Sequence, residues 1–187
     1  VVCCSTGNHG RGVAWAARAA GKRAVVCMSA LVPEAKVAGI RALGAEVRIT
    51  GRSQDDALEE AQRLVAAEGL VEISPFDDPR VIAGQGTIGM EILRQETGPI
   101  HAIFVPVGGG GLVAGIAVYV KYLRPEIKVI GVESEDSACL KAALAANERV
   151  VLPQVGIFAD GIAVAQIGEN TFDICRNYVD EVITVNT

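Results

Sequence analysis

The amino-acid sequence predicts an α/β fold in which parallel strands are covered by helices, and three observations carry that prediction. Short β-branched runs alternate with Ala- and Leu-rich stretches along almost the whole chain, as in a succession of right-handed β-α-β units. Half of the 187 residues are hydrophobic but only 4% are aromatic, so the core is built from Val, Ile, Leu and Ala, the side chains of sheets buried on both faces. Glycine-rich loops stand at two strand-to-helix junctions, where folds of this class hold their ligands.

Taken in order, Val1-Val2-Cys3-Cys4 reads as a buried strand, Ser5-Thr6-Gly7-Asn8-His9-Gly10 as a polar turn, and Val13 to Ala20 as an Ala-rich helix. Ala24 to Met28 is the next strand; Pro33-Glu34-Ala35 opens a helix that runs to about Leu43, with Gly44 as its C-cap. Glu46 to Thr50 is a strand, and Ser53-Gln54-Asp55-Asp56 approximates a capping box for a helix with Ala57, Ala61, Leu64 and Val65 on one face. That helix stops at Gly69, and Leu70 to Ile73 reads as another strand. The Pro-punctuated turn Ser74 to Pro79 is the best lobe boundary, dividing the chain into residues 1–79 and 80–187.

In the second part a helix is expected around Thr87 to Gln95, then the strand Ile103 to Val107, the glycines Gly108 to Gly111 and the helix Leu112 to Leu123. Lys128 to Val132 is a strand ending in Glu133, Ser137 to Ala146 a helix, and Val155 to Val164 an irregular loop. A helix near Asn170 to Val179 precedes the last strand, Glu181 to Val185.

A net charge of −5, with basic residues scattered rather than clustered, argues against a nucleic-acid partner. Five cysteines form an odd set with no C-x-x-C and no histidine at metal spacing, which reads as reduced core thiols in a cytoplasmic protein, with no metal site. The uncharged run Ile103 to Val120 is long enough to raise a membrane span, but Pro106 and four glycines inside it argue for strand, loop and helix instead. The chain lacks an initiator Met and starts within an apparent strand, so it is expected to be a segment of a longer protein.

Four consecutive glycines at a helix start remove every Cβ from the turn, letting backbone N–H groups close on anionic oxygens. Two readings stay open on the residues alone. Gly109-x-Gly111-x-x-Ala114 with Glu133 about twenty residues on also fits a dinucleotide-binding fingerprint. A Walker A site is excluded, since no Gly-Lys-Ser/Thr follows. The turn Ser5 to Gly10 adds side-chain donors and acceptors, which suits a carboxylate or a ring hydroxyl. His9 lies in that turn as either a loop-shaping residue or a base, whereas His101 leads into a strand and reads as structural.

Five motifs then occur in one order: Ser5-Thr6-Gly7-Asn8-His9, Pro75-Phe76-Asp77, Gly84-Gln85-Gly86-Thr87, Pro106-Val107-Gly108-Gly109-Gly110-Gly111-Leu112 and Phe158-Ala159-Asp160-Gly161. In that order they resemble the pyridoxal-phosphate enzymes of the tryptophan synthase β fold, and among these the threonine dehydratases, over essentially the whole chain. Val132 to Lys141 is similar to the biosynthetic dehydratases of the isoleucine pathway, while Gly10 to Ala14 and Ile40 to Ala45 also resemble the hydroxyectoine-utilisation dehydratases.

The resemblance implies a two-lobed fold type II protein, here incomplete, with pyridoxal 5'-phosphate in the crevice at the C-terminal ends of the strands. It implies that Gly108, Gly109, Gly110, Gly111 and Leu112 hold the phosphate and that Asn8 hydrogen-bonds the pyridine 3-hydroxyl. Ser5, Thr6 and Gly7 would grip the substrate carboxylate, with His9 in the same substrate site and Phe76 and Gln85 lining the cleft. The implied reaction is dehydration and deamination of L-threonine, and of L-serine, to a 2-oxo acid and ammonia, by a homo-oligomer acting on a small-molecule amino acid. The alternatives are a serine or hydroxyectoine-pathway dehydratase, or a serine racemase, of the same fold, and, from a different class, a dinucleotide-binding module.

Two departures bear on the chemistry. The Schiff-base lysine that the resemblance implies belongs upstream of Val1, and none of Lys22, Lys36, Lys121, Lys128 or Lys141 has its context, so no catalytic residue is assigned and the stretch alone is expected to be inactive. Related racemases place a divalent cation near a strand-end Glu and an Asp six residues on; here Glu133 is followed by Cys139, a soft ligand that suits magnesium poorly.

Overall fold

The computed structural model describes residues 1–5, 7–156 and 158–186. The chain divides into two compact units, Val1–Pro75 and Phe76–Thr187, and all strand pairs among the described residues are parallel.

The first unit is a three-stranded sheet, β1 (Val2–Cys4), β2 (Val25–Met28) and β3 (Glu46–Ile49), in sequential order. Residues of β1 and β2 are buried throughout, which is why their sequence is apolar without alternation. Helices α1 (Asn8–Ala19) and α2 (Glu34–Arg41) share one hydrophobic cluster with β1 and β2, built around Val13, Val26, Met28 and Ile40. Helix α3 (Gln54–Glu68) covers the other face through Ala57, Ala61 and Leu64. The α3 boundaries are chemical: the Ser53 hydroxyl accepts from Asp56 N, the Asp56 carboxylate accepts from Ser53 N in return, and Gly69 closes the helix at φ 65°.

Two sequence expectations need correction here. Helix α1 starts at Asn8 rather than Val13, so Asn8, His9 and Gly10 of the polar turn form the start of the helix. Leu70 to Ile73 is no full strand: Val2 N donates to Val71 O and Ile73 N donates to Val2 O, forming a single parallel bridge at Glu72. With Glu72 in its middle and only the three-residue β1 to pair with, the segment forms no ladder beyond this bridge.

The second unit repeats the plan with β4 (Ala102–Pro106), β5 (Lys128–Ser134) and β6 (Glu181–Val185). Helix α5 (Gly111–Leu123) is apolar nearly all round and lies in the core with Val105, Val107, Ile127 and Val129. Helix α4 (Pro79–Gln95) begins eight residues earlier than its hydrophobic spacing suggests. Asp78 caps it by accepting from Arg80 N at 2.8 Å, and Pro79 fits its first turn, where an N–H would have no partner within the helix. Gly84 and Gly86 obscured this start, because glycines disfavour helix interiors by about 1 kcal/mol. Gly86 stands instead at a close crossing with α5: a Cβ on Gly115 would lie 2.4 Å from Ile82 O and 2.6 Å from Gly86 N. Helices α6 (Cys139–Ala146) and α7 (Glu169–Tyr178) complete the unit, α6 preceded by a 3₁₀ turn at Glu135–Ser137.

Candidate functional site: the glycine loop and the Ser5 turn

The glycine loop joins β4 to the N-terminus of α5. Its geometry demands glycine at each place: a Cβ would meet Ile162 Cα at 3.0 Å from Gly108, the Phe76 ring at 2.3 Å from Gly109, Ile167 at 2.6 Å from Gly110, and Phe76 Cα at 2.9 Å from Gly111. Gly110 also takes the left-handed conformation, φ 91°, which costs a side-chain-bearing residue about 1–2 kcal/mol. The first helical bond of α5 runs from Ala114 N to Gly110 O, so the amides of Gly111, Leu112 and Val113 have no acceptor within the helix. No side chain caps them. A bare, uncapped helix start with the positive end of its dipole is chemically suited to a phosphate.

The carbonyls of the same loop are tied from behind. Thr171 Oγ1 donates to Gly109 O at 2.7 Å, and Cys139 Sγ donates to Gly108 O at 3.4 Å. Asp77 caps α7, accepting from Glu169 N at 2.9 Å and Thr171 N at 3.2 Å. Phe76 and Asp77 are thus both structural partners of the loop region, Phe76 filling the space a Cβ on Gly109 would need. Gln85 lies half-buried in α4, next to the glycine at the helix crossing.

In the Ser5 turn the buried Ser5 hydroxyl accepts from Gly7 N at 3.0 Å and Gly10 N at 2.9 Å. Its oxygen is therefore committed to the start of α1, leaving its proton to donate. The first helical bond is Arg11 N to Gly7 O, so the amides of Asn8 and His9 have no partner within the helix, and the N-cap residue, Gly7, has no side chain to offer them. The Asn8 side chain is exposed. His9 Nε2 lies 2.9 Å from Ile73 O; a carbonyl only accepts, so Nε2 carries the proton. Burial lowers the pKa of this ring, which holds it neutral. Gly10 lets α1 approach β2, since a Cβ there would lie 2.8 Å from Val26 Cγ1. Thr6 lies outside the described residues.

Glu133 is wholly buried near the end of β5. Its carboxylate caps α6, Oε1 accepting from Leu140 N at 2.8 Å and Oε2 from Lys141 N at 2.9 Å. Burial raises its pKa against these bonds. Lys121 Nζ is held by Ile127 O at 2.8 Å, Pro125 O at 3.2 Å and the Asp180 carboxylate. A cavity of about 590 Å³ between α4, α5 and α7, lined by Ile82, Met90 and Tyr119 among others, contains none of the sequence-predicted site residues.

The family model described as "Pyridoxal-phosphate dependent enzyme" matches residues 1–187. The chain belongs to that family. It is 54% identical over its full length to the biosynthetic L-threonine dehydratase of Burkholderia multivorans, of which it spans 38%. Among solved structures it resembles the processed threonine deaminase isoform 2 of Solanum lycopersicum, with a TM-score of 0.95 and 45% identity, over all of this chain and 54% of that one. Maize serine racemase is similar at TM-score 0.94 and 32% identity, over all of this chain and 56% of that one. The chain thus has the α/β architecture of this pyridoxal-phosphate-dependent family, and the backbone-only, uncapped start of α5 fits the phosphate of that cofactor.

Proposed function

We propose that the protein to which this chain belongs dehydrates and deaminates L-threonine, and more slowly L-serine, to a 2-oxo acid and ammonia in isoleucine biosynthesis. The observation that carries this reading is the full-length match, at 54% identity, to a biosynthetic L-threonine dehydratase. Serine racemase shares the fold at lower identity, 32%, and is the second reading. Pyridoxal phosphate, when bound, supplies the electron sink that lets the α-proton of an amino acid leave.

The chain's own residues supply binding and orientation. Amides of Gly109 to Leu112 take the phosphate, aided by the positive end of α5. In the first unit, the amides of Asn8 and His9 and the Ser5 proton take the substrate carboxylate, and the Asn8 side chain meets the ring hydroxyl. Phe76 and Gln85 act at one remove, shaping the loop and the α4–α5 crossing. His9, neutral and bound to Ile73 O, keeps the turn in place. The amine that carries the cofactor belongs to the remainder of the protein, which we place in the cytoplasm as a homo-oligomer.

The complete protein incubated with L-threonine should release 2-oxobutyrate and ammonia in equal amounts, with a higher kcat/KM than for L-serine, and should absorb in the visible before substrate is added. Release of neither product, or conversion of L-serine to D-serine without ammonia, would overturn the reading.

A further inference from the structure

Thr171 is wholly buried in the first turn of α7, yet its hydroxyl takes no part in capping that helix. Asp77 supplies the cap, receiving the N–H groups of Glu169 and Thr171. Ser and Thr hydroxyls commonly bond a backbone group a few residues away in the chain. Here the Thr171 hydroxyl reaches 62 residues away, to Gly109 O at 2.7 Å, and Gly168 N approaches the same oxygen at 3.4 Å.

In a trans peptide the C=O and the following N–H point in opposite directions. Fixing the Gly109 carbonyl toward α7 therefore fixes the Gly110 N–H away from it. A peptide between two glycines has no side chain to choose its orientation and rotates freely unless something else holds it. Cys139 does the same for the peptide before, holding the Gly108 carbonyl and so directing the Gly109 N–H. The two donors stand behind two successive amides of the loop.

We infer that Thr171 is a positioning residue which, through the Gly109 carbonyl, aims the Gly110 amide at the cofactor phosphate. This rests on the reading of the loop as the phosphate site. The role is distinct from general support of the fold because it acts on one part of the ligand only: affinity for pyridoxal phosphate depends on it, and affinity for pyridoxal, which lacks the phosphate, does not.

The test is the ratio of dissociation constants for pyridoxal and pyridoxal phosphate, measured on the complete apoprotein by fluorescence titration, together with the ³¹P chemical shift of bound pyridoxal phosphate. Thr171→Val, which keeps the shape and deletes the donor, should lower that ratio about tenfold, equivalent to ~1.4 kcal/mol, and move the ³¹P resonance, with pyridoxal affinity unchanged. Thr171→Ser, which keeps the donor, should restore the ratio. If the valine variant does not fold, Thr171→Cys carries the test as a weaker donor, and the ratio must fall for Cys while holding for Ser. A wild-type protein that binds both ligands equally would sink the phosphate reading itself. A wild type that discriminates, with variants that discriminate just as well or lose both ligands in parallel, would overturn the inference about Thr171 alone.

Discussion

At the scale of single residues, two buried groups show how local chemistry sets the behaviour of the second unit. Glu133 is held neutral more readily than an exposed glutamate because burial raises its pKa above the ordinary 4.5. A carboxyl with a raised folded-state pKa contributes stability fully below its ordinary value, and loses that contribution as pH climbs through the raised one. Denaturant unfolding of the complete protein should therefore show the advantage of wild type over Glu133→Gln shrinking as pH rises from about 4.5; an advantage that grows would contradict the assignment. Gly110→Ala forces a Cβ into the left-handed region and against Ile167 and Thr171. The strain of about 1–2 kcal/mol adds to an overpacking term of about 1–3 kcal/mol, so a loss of stability of that combined size is expected in the same assay.

At the scale of elements, the α4–α5 crossing and the α3 cap separate what glycine and serine do in different places. Gly115→Ala should destabilise despite alanine's better helix propensity, since its Cβ would lie 2.4 Å from a backbone oxygen. Gly84→Ala, with nothing within 4 Å, should stabilise by about 0.5–1 kcal/mol. Thermal melts of the two variants should move in opposite directions. Local signals of this kind were readable from the sequence: Ser53 with Asp56, Gly69 after α3, and the β-branched runs of β2, β5 and β6 all formed as their residues dictate. The elements misjudged depend on distant partners. Leu70 to Ile73 has the composition of a strand but meets a neighbour only three residues long. The start of α4 is disguised by Gly84 and Gly86, of which Gly86 packs against another helix.

At the scale of the whole chain, the five cysteines are distributed through both units and all are buried. Burial pushes the thiols of Cys3, Cys4, Cys139 and Cys175 up to about 12 and that of Cys27 up to about 11, which leaves almost no nucleophilic thiolate at neutral pH. In the folded complete protein, alkylation followed by peptide mapping should find none of the five modified, with all five labelled once denaturant is added. Labelling of any of them under native conditions would contradict the packing described. The glycine loop and the Ser5 turn were visible in the sequence because runs of glycine and of small polar residues are local patterns. The donors behind the glycine loop, the Thr171 hydroxyl and the Cys139 thiol, were not, because each bonds a backbone carbonyl that no spacing rule connects to it.

The 62-residue span from Gly109 to Thr171 has a consequence for biosynthesis. At about 5–20 residues per second, a ribosome delivers Thr171 roughly 3–12 s after the glycines. Until then the loop has strand and helix on either side, and Cys139 for its Gly108 carbonyl, but no Thr171 hydroxyl for its Gly109 carbonyl, so it takes its final form only once α7 has been made. The glycine loop is among the last parts of this unit to mature.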